Sequence, residues 1–301
     1  MNHPILTAIA GFMLLVVSAL ALTAVASPWV FWLSEQVYPF AFHRVFNRTA
    51  MILFIAGAAV LFMRLKVKTP RDLGYPASRQ DFVNGVLPGF AWGVVMMSCV
   101  SAVLLALGAR ELRTDPAESL LAAIGALPQA LLSGLAVGFV EETFFRGALY
   151  TTIRRDSPAF AAAIATALLY ATVHFFGEKI RIAPENVDAF SGLLFLSQFF
   201  GKFSQPLAIL DAFVALFLVG VLLALVRERT GHIAASIGLH AGFVATIVVV
   251  KRISRPVFAS DFGFLINRID GIVGWLVALA AAIAVTLIYM RQPEMRASRL
   301  R

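Results

Sequence analysis

Residues 134–147 read GLAVGFVEETFFRG. They set two adjacent carboxylates, Glu141 and Glu142, and one guanidinium, Arg146, into an apolar block that runs over 119–150. A block of that length spans a membrane, because about 20 apolar residues cross a hydrocarbon layer about 30 Å thick. An ionisable group at the bilayer centre costs about 2.5–3.5 kcal/mol on insertion scales. The cluster therefore needs partners inside a bundle and marks a candidate functional site. Helical spacing separates the roles. Ala130, Gly134, Gly138, Glu142 and Arg146 follow one another at i+4 and form one ridge. The small residues of that ridge let a neighbouring helix approach closely, and Glu142 can pair with Arg146 one turn on. Glu141 points about 100° away round the helix and is not committed to that pair.

The rest of the chain extends the same pattern. Hydrophobic residues make up 60% of it and charged residues 14%, against about 25% charged in a soluble domain. Apolar blocks near 5–27, 48–64, 83–108, 119–150, 158–177, 206–226, 232–251 and 270–290 predict an all-α, polytopic transmembrane bundle of about eight spans. Breaks such as Thr69-Pro70-Arg71-Asp72 separate them. No repeat or second domain is visible, so residues 1–301 read as a single membrane domain.

The net charge of +8 is not a nucleic-acid signature. Its bases fall in short runs between apolar blocks: Arg64, Lys66, Lys68 and Arg71; Lys251, Arg252 and Arg255; Arg291, Arg296, Arg299 and Arg301. Juxtamembrane bases of this kind suit anionic lipid headgroups, and their distribution favours cytoplasmic termini in a cell (inner) membrane. Cys99, inside an apolar block, reads as a small core residue. Ala24-Val25-Ala26 resembles a cleavage site, but the leader lacks Lys and Arg, and a retained first helix is expected. In the long connection 179–205, residues 190–200 are too short to span. They predict either a segment that lies in the interface or folds back as a gate, or a surface loop.

Two histidines complete the set. The fifth block carries Tyr170 and, four residues on, His174; the seventh carries His240 between Gly238 and Gly242. Counting about 1.5 Å per residue from the nearest turns leaves Glu141, His174 and His240 within the hydrocarbon layer but spread over about 13 Å. Convergence requires tilt or kinking.

The order Glu141-Glu142-x-x-x-Arg146, then an aromatic residue four before His174, then His240, resembles the CPBP family of CAAX proteases and bacteriocin-processing enzymes, relatives of the type II CAAX prenyl protease. The resemblance covers roughly residues 80–255, as a catalytic core within the membrane domain. It implies an intramembrane endopeptidase whose substrate is a membrane protein or peptide. Glu141 would activate a water, with His174 assisting, and His240 would stabilise the oxyanion or hold the water. Glu142, Arg146 and Tyr170 would support the site. The residue types suit that chemistry: a carboxylate in an apolar setting is a stronger base, and an oxyanion needs aimed donors in a water-poor site. Glu141, His174 and His240 would also serve as zinc ligands with an open water position, so a metal-free and a zinc mechanism both stand at this point. Two departures from the family pattern follow. Tyr170 replaces the usual Phe, and Val244 replaces the usual polar residue four after His240. Val244 motivates the alternative of a weakly active or inactive immunity, scaffold or regulatory protein on the same fold. A transporter is disfavoured by the lack of an inverted repeat.

Overall fold

The computed structural model describes residues 4–64, 69–177 and 181–291. Lys66, Lys68, Arg296, Arg299 and Arg301 lie outside the described residues, as does the start of the leader. The helices are α1 (Pro4–Glu35), α2 (Phe42–Arg64), α3 (Arg79–Ala106), α4 (Pro116–Glu142), α5 (Tyr150–Arg154), α6 (Ala159–Val173), α7 (Ser191–Gln198), α8 (Pro206–Thr230), α9 (Ala234–Ile253) and α10 (Trp275–Met290). Short strands β1 (Arg110–Leu112) and β2 (Ser254–Pro256) pair antiparallel. Residues Thr143–Leu149 are π-helical and join α4 to α5 in a continuous helical run, Pro116–Arg154.

Six helical runs among the described residues are long and apolar enough to cross a membrane, and Ala159–Val173 and Trp275–Met290 are shorter apolar helices. Together they coincide with the eight blocks read from the sequence. The chain is a multi-pass membrane protein. One boundary is sharpened: the block near 158–177 is helical only to Val173, so His174 lies in the turn that follows α6. The apolar run continues past the helix for a different reason. Phe175 and Phe176 enter a cluster of rings with Phe199, Phe200 and Phe203, and the backbone N–H of Gly177 donates to the carbonyl of Phe199.

The chain divides into two compact units. The first takes in Met1–Lys68 and Val173–Pro206. Within it α7 folds back onto α1, which resolves the expectation for 190–200 in favour of a packed segment over a surface loop. Gly192 permits this: a Cβ there would lie 2.0 Å from the Ala24 carbonyl oxygen. Phe195 is buried against the rings of Phe42 and Phe46.

The second unit, Thr69–Thr172 and Leu207–Arg301, is organised around α9. Small residues line both of its contacts. On α3, Gly89 and Gly93 are so close that a Cβ would lie 2.3 Å from the carbonyl oxygens of Ala235 and Leu239. On α4, a Cβ at Gly134 or Gly138 would lie 2.4 or 2.8 Å from those of Ala241 and Ile237. Close packing of this kind holds helices together where lipid offers no hydrophobic drive. The expected ridge of α4 therefore meets α9. Buried Arg110 ties β2 to the turn before α10. It donates to the hydroxyl and carbonyl of Ser254 at 2.9 and 3.0 Å and to the carbonyl of Gly271.

Candidate active site

The end of α4 supplies Glu141 and Glu142, the π-helical stretch Arg146, α6 Tyr170, and α9 His240. All five lie in the second unit. Arg146 Nη1 donates to Glu142 Oε1 at 2.9 Å, and both side chains are fully buried. The pairing expected from the i+4 spacing is present. The guanidinium also donates through Nη2 to the carbonyl of Gly220 on α8 at 3.0 Å and lies 4.6 Å from the centre of the Tyr170 ring, a cation–π distance. A Cβ at Gly220 would lie 2.9 Å from Ala167 on α6. The glycine thus brings the α8 carbonyl within reach of Arg146.

His240 is 4% exposed and stands between the two carboxylates. Its Nδ1 lies 2.9 Å from Glu142 Oε1. An ionised carboxylate only accepts, so Nδ1 carries the proton and donates. In the neutral imidazole, Nε2 then bears the lone pair. Nε2 faces Glu141 Oε2 at 3.9 Å, beyond hydrogen-bond length, and the Tyr170 hydroxyl at 3.5 Å. Two hydrogen bonds of about 2.8 Å from a single water would fit across that 3.9 Å gap. The Glu141 side chain is 31% exposed, against none for Glu142. The two adjacent glutamates thus occupy different environments.

Of the three residues spread in depth by the straight-helix count, Glu141 and His240 come together, 3.9 Å apart. The turns between Glu142 and Tyr150 are π-helical and hold more residues per turn than an α-helix, which takes up chain length. His174 is not in this unit. It follows the end of α6 as an exposed residue of the first unit.

Among the described residues no three His, Cys, Asp or Glu side chains are grouped to hold a metal ion. Two of the three zinc ligands read from the sequence, Glu141 and His240 Nε2, face one another across 3.9 Å within this unit, and the third, His174, belongs to the other unit.

Residues 123–246 match the family model for type II CAAX prenyl endopeptidases, Rce1-like. That segment is similar to a family of CAAX peptidases. The match contains the double glutamate, Arg146, Tyr170, His174 and His240, and it falls inside the 80–255 core read from the sequence. No curated protein and no solved structure matches the chain.

Sequence reading missed three participants. The Gly220 carbonyl is a backbone group and leaves no mark in a residue pattern. The stripe Gly85, Gly89 and Gly93 was legible as small residues at i+4. The third is Tyr75, just before α3, whose hydroxyl pairs with that of Thr143, next to Glu142, while its ring packs 5.9 Å from that of Phe139.

Proposed function

We propose that the chain is an intramembrane endopeptidase hydrolysing a peptide bond of a membrane-associated or membrane-inserted protein or peptide, with Glu141 as the general base. One observation carries the reading: Glu142, neutralised by Arg146, holds His240 by Nδ1 and leaves Nε2 facing the second carboxylate at 3.9 Å. Glu141 takes a proton from water, and the water oxygen attacks the scissile carbonyl carbon. The carbonyl electron pair moves onto oxygen, where the Tyr170 hydroxyl donates to it. Collapse of the intermediate breaks the C–N bond, and Glu141 returns its proton to the departing amine. His240 Nε2 accepts a hydrogen bond from the attacking water. His174 assists, a role that rests on the family resemblance. No step uses a metal. The site works in a cell (inner) membrane with both termini in the cytoplasm, as the placement of the basic runs supports.

The purified protein in detergent, given candidate membrane peptides, should cleave them and lose turnover on Glu141→Ala and on His174→Ala. Unchanged turnover in both variants would sink the assignment. A second reading, a weakly active or inactive regulatory protein, draws on α9. Val244 offers no donor, and the nearby Thr246 hydroxyl is used by the carbonyl of Gly242 at 2.9 Å. On that reading Glu141→Gln would retain its cellular effect; loss of the effect with protein level unchanged decides for the enzyme.

A further inference from the structure

On the face of α9 turned towards α3 lies a groove of about 1150 Å³, larger than the roughly 300–1,000 Å³ of drug-sized ligand sites. Its walls come from α3, α8, α9 and α10, with Trp92, Leu239 and Leu287 among the apolar side chains that line it. Its mouth carries Arg71, Arg229 and Arg291. These bases share one membrane face, because α3 begins there while α8 and α10 end there. Among the described residues their guanidinium groups make no ion pair or hydrogen bond. The mouth also contains Asp81, but that carboxylate accepts from the Ser78 hydroxyl at 2.7 Å in the cap of α3. The groove thus has an apolar lining along the spans and a cationic end where α3 begins and α8 and α10 end.

We propose that this groove binds one anionic phospholipid, with its phosphate on Arg71, Arg229 and Arg291 and an acyl chain along Trp92 and Leu287. Charge selects the occupant. A zwitterionic lipid brings a cation of its own to three arginines. The sequence of segment 292–301 carries three arginines against one glutamate, a charge that does not complement the opening. The inference is independent of the peptidase reading, since its test measures binding and not turnover.

Full-length protein in a non-denaturing detergent is titrated with phosphatidylglycerol, with phosphatidylcholine of the same chains, and with glycerol 3-phosphate, and bound copies are counted by native mass spectrometry. One phosphatidylglycerol should be retained at least about tenfold more tightly than phosphatidylcholine. Each arginine near the surface contributes about fivefold, so Arg229→Gln with Arg291→Gln should weaken retention roughly 25-fold, and Arg252→Gln at the other end of α9 should not. Leu287→Trp fills the groove with its charges intact and should also displace the lipid; it decides the question if the double variant does not elute as a folded species. Equal retention of the two lipids overturns the proposal, as does an Arg252→Gln effect equal to that of the double variant. Displacement of phosphatidylglycerol by an equal concentration of glycerol 3-phosphate overturns it too, because the site would then be one for free phosphate.

Discussion

Replacing Arg146 with Met tests whether Glu142 and Arg146 act as one unit. Methionine keeps the length and apolar body of the side chain and deletes two donors, to Glu142 at 2.9 Å and to Gly220 at 3.0 Å. Glu142 is fully buried, so its charge is left with His240 as partner. Breaking a buried ion pair from one side costs about 3–5 kcal/mol, and Glu142→Met, which strands Arg146, should cost as much. The double variant strands neither charge. It loses an acceptor for His240 Nδ1, worth about 1–3 kcal/mol. The singles therefore sum to roughly 6–10 kcal/mol and the double falls several kcal/mol short of that sum. Hydrogen bonds between transmembrane helices average about 0.6 kcal/mol in such cycles, so a coupling above about 2 kcal/mol identifies a buried ion pair. Reversible unfolding in mixed micelles with dodecyl sulfate, followed by circular dichroism, measures all four corners. Additivity within about 0.5 kcal/mol refutes the reasoning.

Gly134→Ala should destabilise by roughly 1–3 kcal/mol, because its Cβ would lie 2.4 Å from the Ala241 carbonyl oxygen, whereas Gly125→Ala, with nothing within 4 Å, should not; thermal melts in detergent compare them. Tyr75→Phe deletes the bond to Thr143 and should cost about 1 kcal/mol. Burial raises the Tyr75 pKa, outweighing the lowering by Thr143, so above about pH 10 the unfolded chain ionises first and stability falls as pH rises. Melts of the Phe variant should lose that part of the alkaline fall, and an unchanged pH profile counts against it. Tyr170→Phe should lower kcat about tenfold or more with KM and melting temperature little changed, as expected for a donor used only in the transition state; a rise in KM alone would assign the hydroxyl to substrate binding.

The span pattern was legible because apolar length is a property of composition, and α4 was legible further because Gly134, Gly138, Glu142 and Arg146 share one periodicity. The partner of that ridge was not. Nothing in residues 234–253 alone says that His240 faces Glu142, since that depends on which helices α9 packs against and at what height. The carbonyls of Ala235, Leu239, Ile237 and Ala241, which fix that height through the glycines of α3 and α4, are common to every residue type. The end of α6 was misplaced for the opposite reason. Phe175 and Phe176 satisfy a hydropathy count equally well in a span or in a ring cluster, and the 3.6 period cannot distinguish the two.

On the proposed reading, the adjacency of the two glutamates explains how a membrane bundle can hold a working carboxylate. A single carboxylate beside His240 would have to choose between orienting the ring and acting on water. Here Glu142 orients: Arg146 neutralises it, and its Oε1 accepts a hydrogen bond from Nδ1–H, which fixes the tautomer of His240 as second-sphere carboxylates fix metal-bound histidines. That tautomer has a consequence for the proposed reaction. With Nδ1 protonated, neutral His240 presents a lone pair at Nε2, so it accepts from the attacking water and cannot at the same time donate to the oxyanion. The imidazolium form can donate, but it has no lone pair left for the water. The two roles expected of His240 are therefore alternatives within one turnover, and the neutral form leaves the oxyanion to another donor. Thr246 is occupied and Val244 has no donor, which leaves Tyr170, whose hydroxyl stands 3.5 Å from Nε2, as the group on hand. On this account the change from Phe to Tyr at position 170 compensates for the apolar residue at 244. The pair should then be functionally coupled: a polar residue introduced at Val244 should restore part of the turnover lost by Tyr170→Phe.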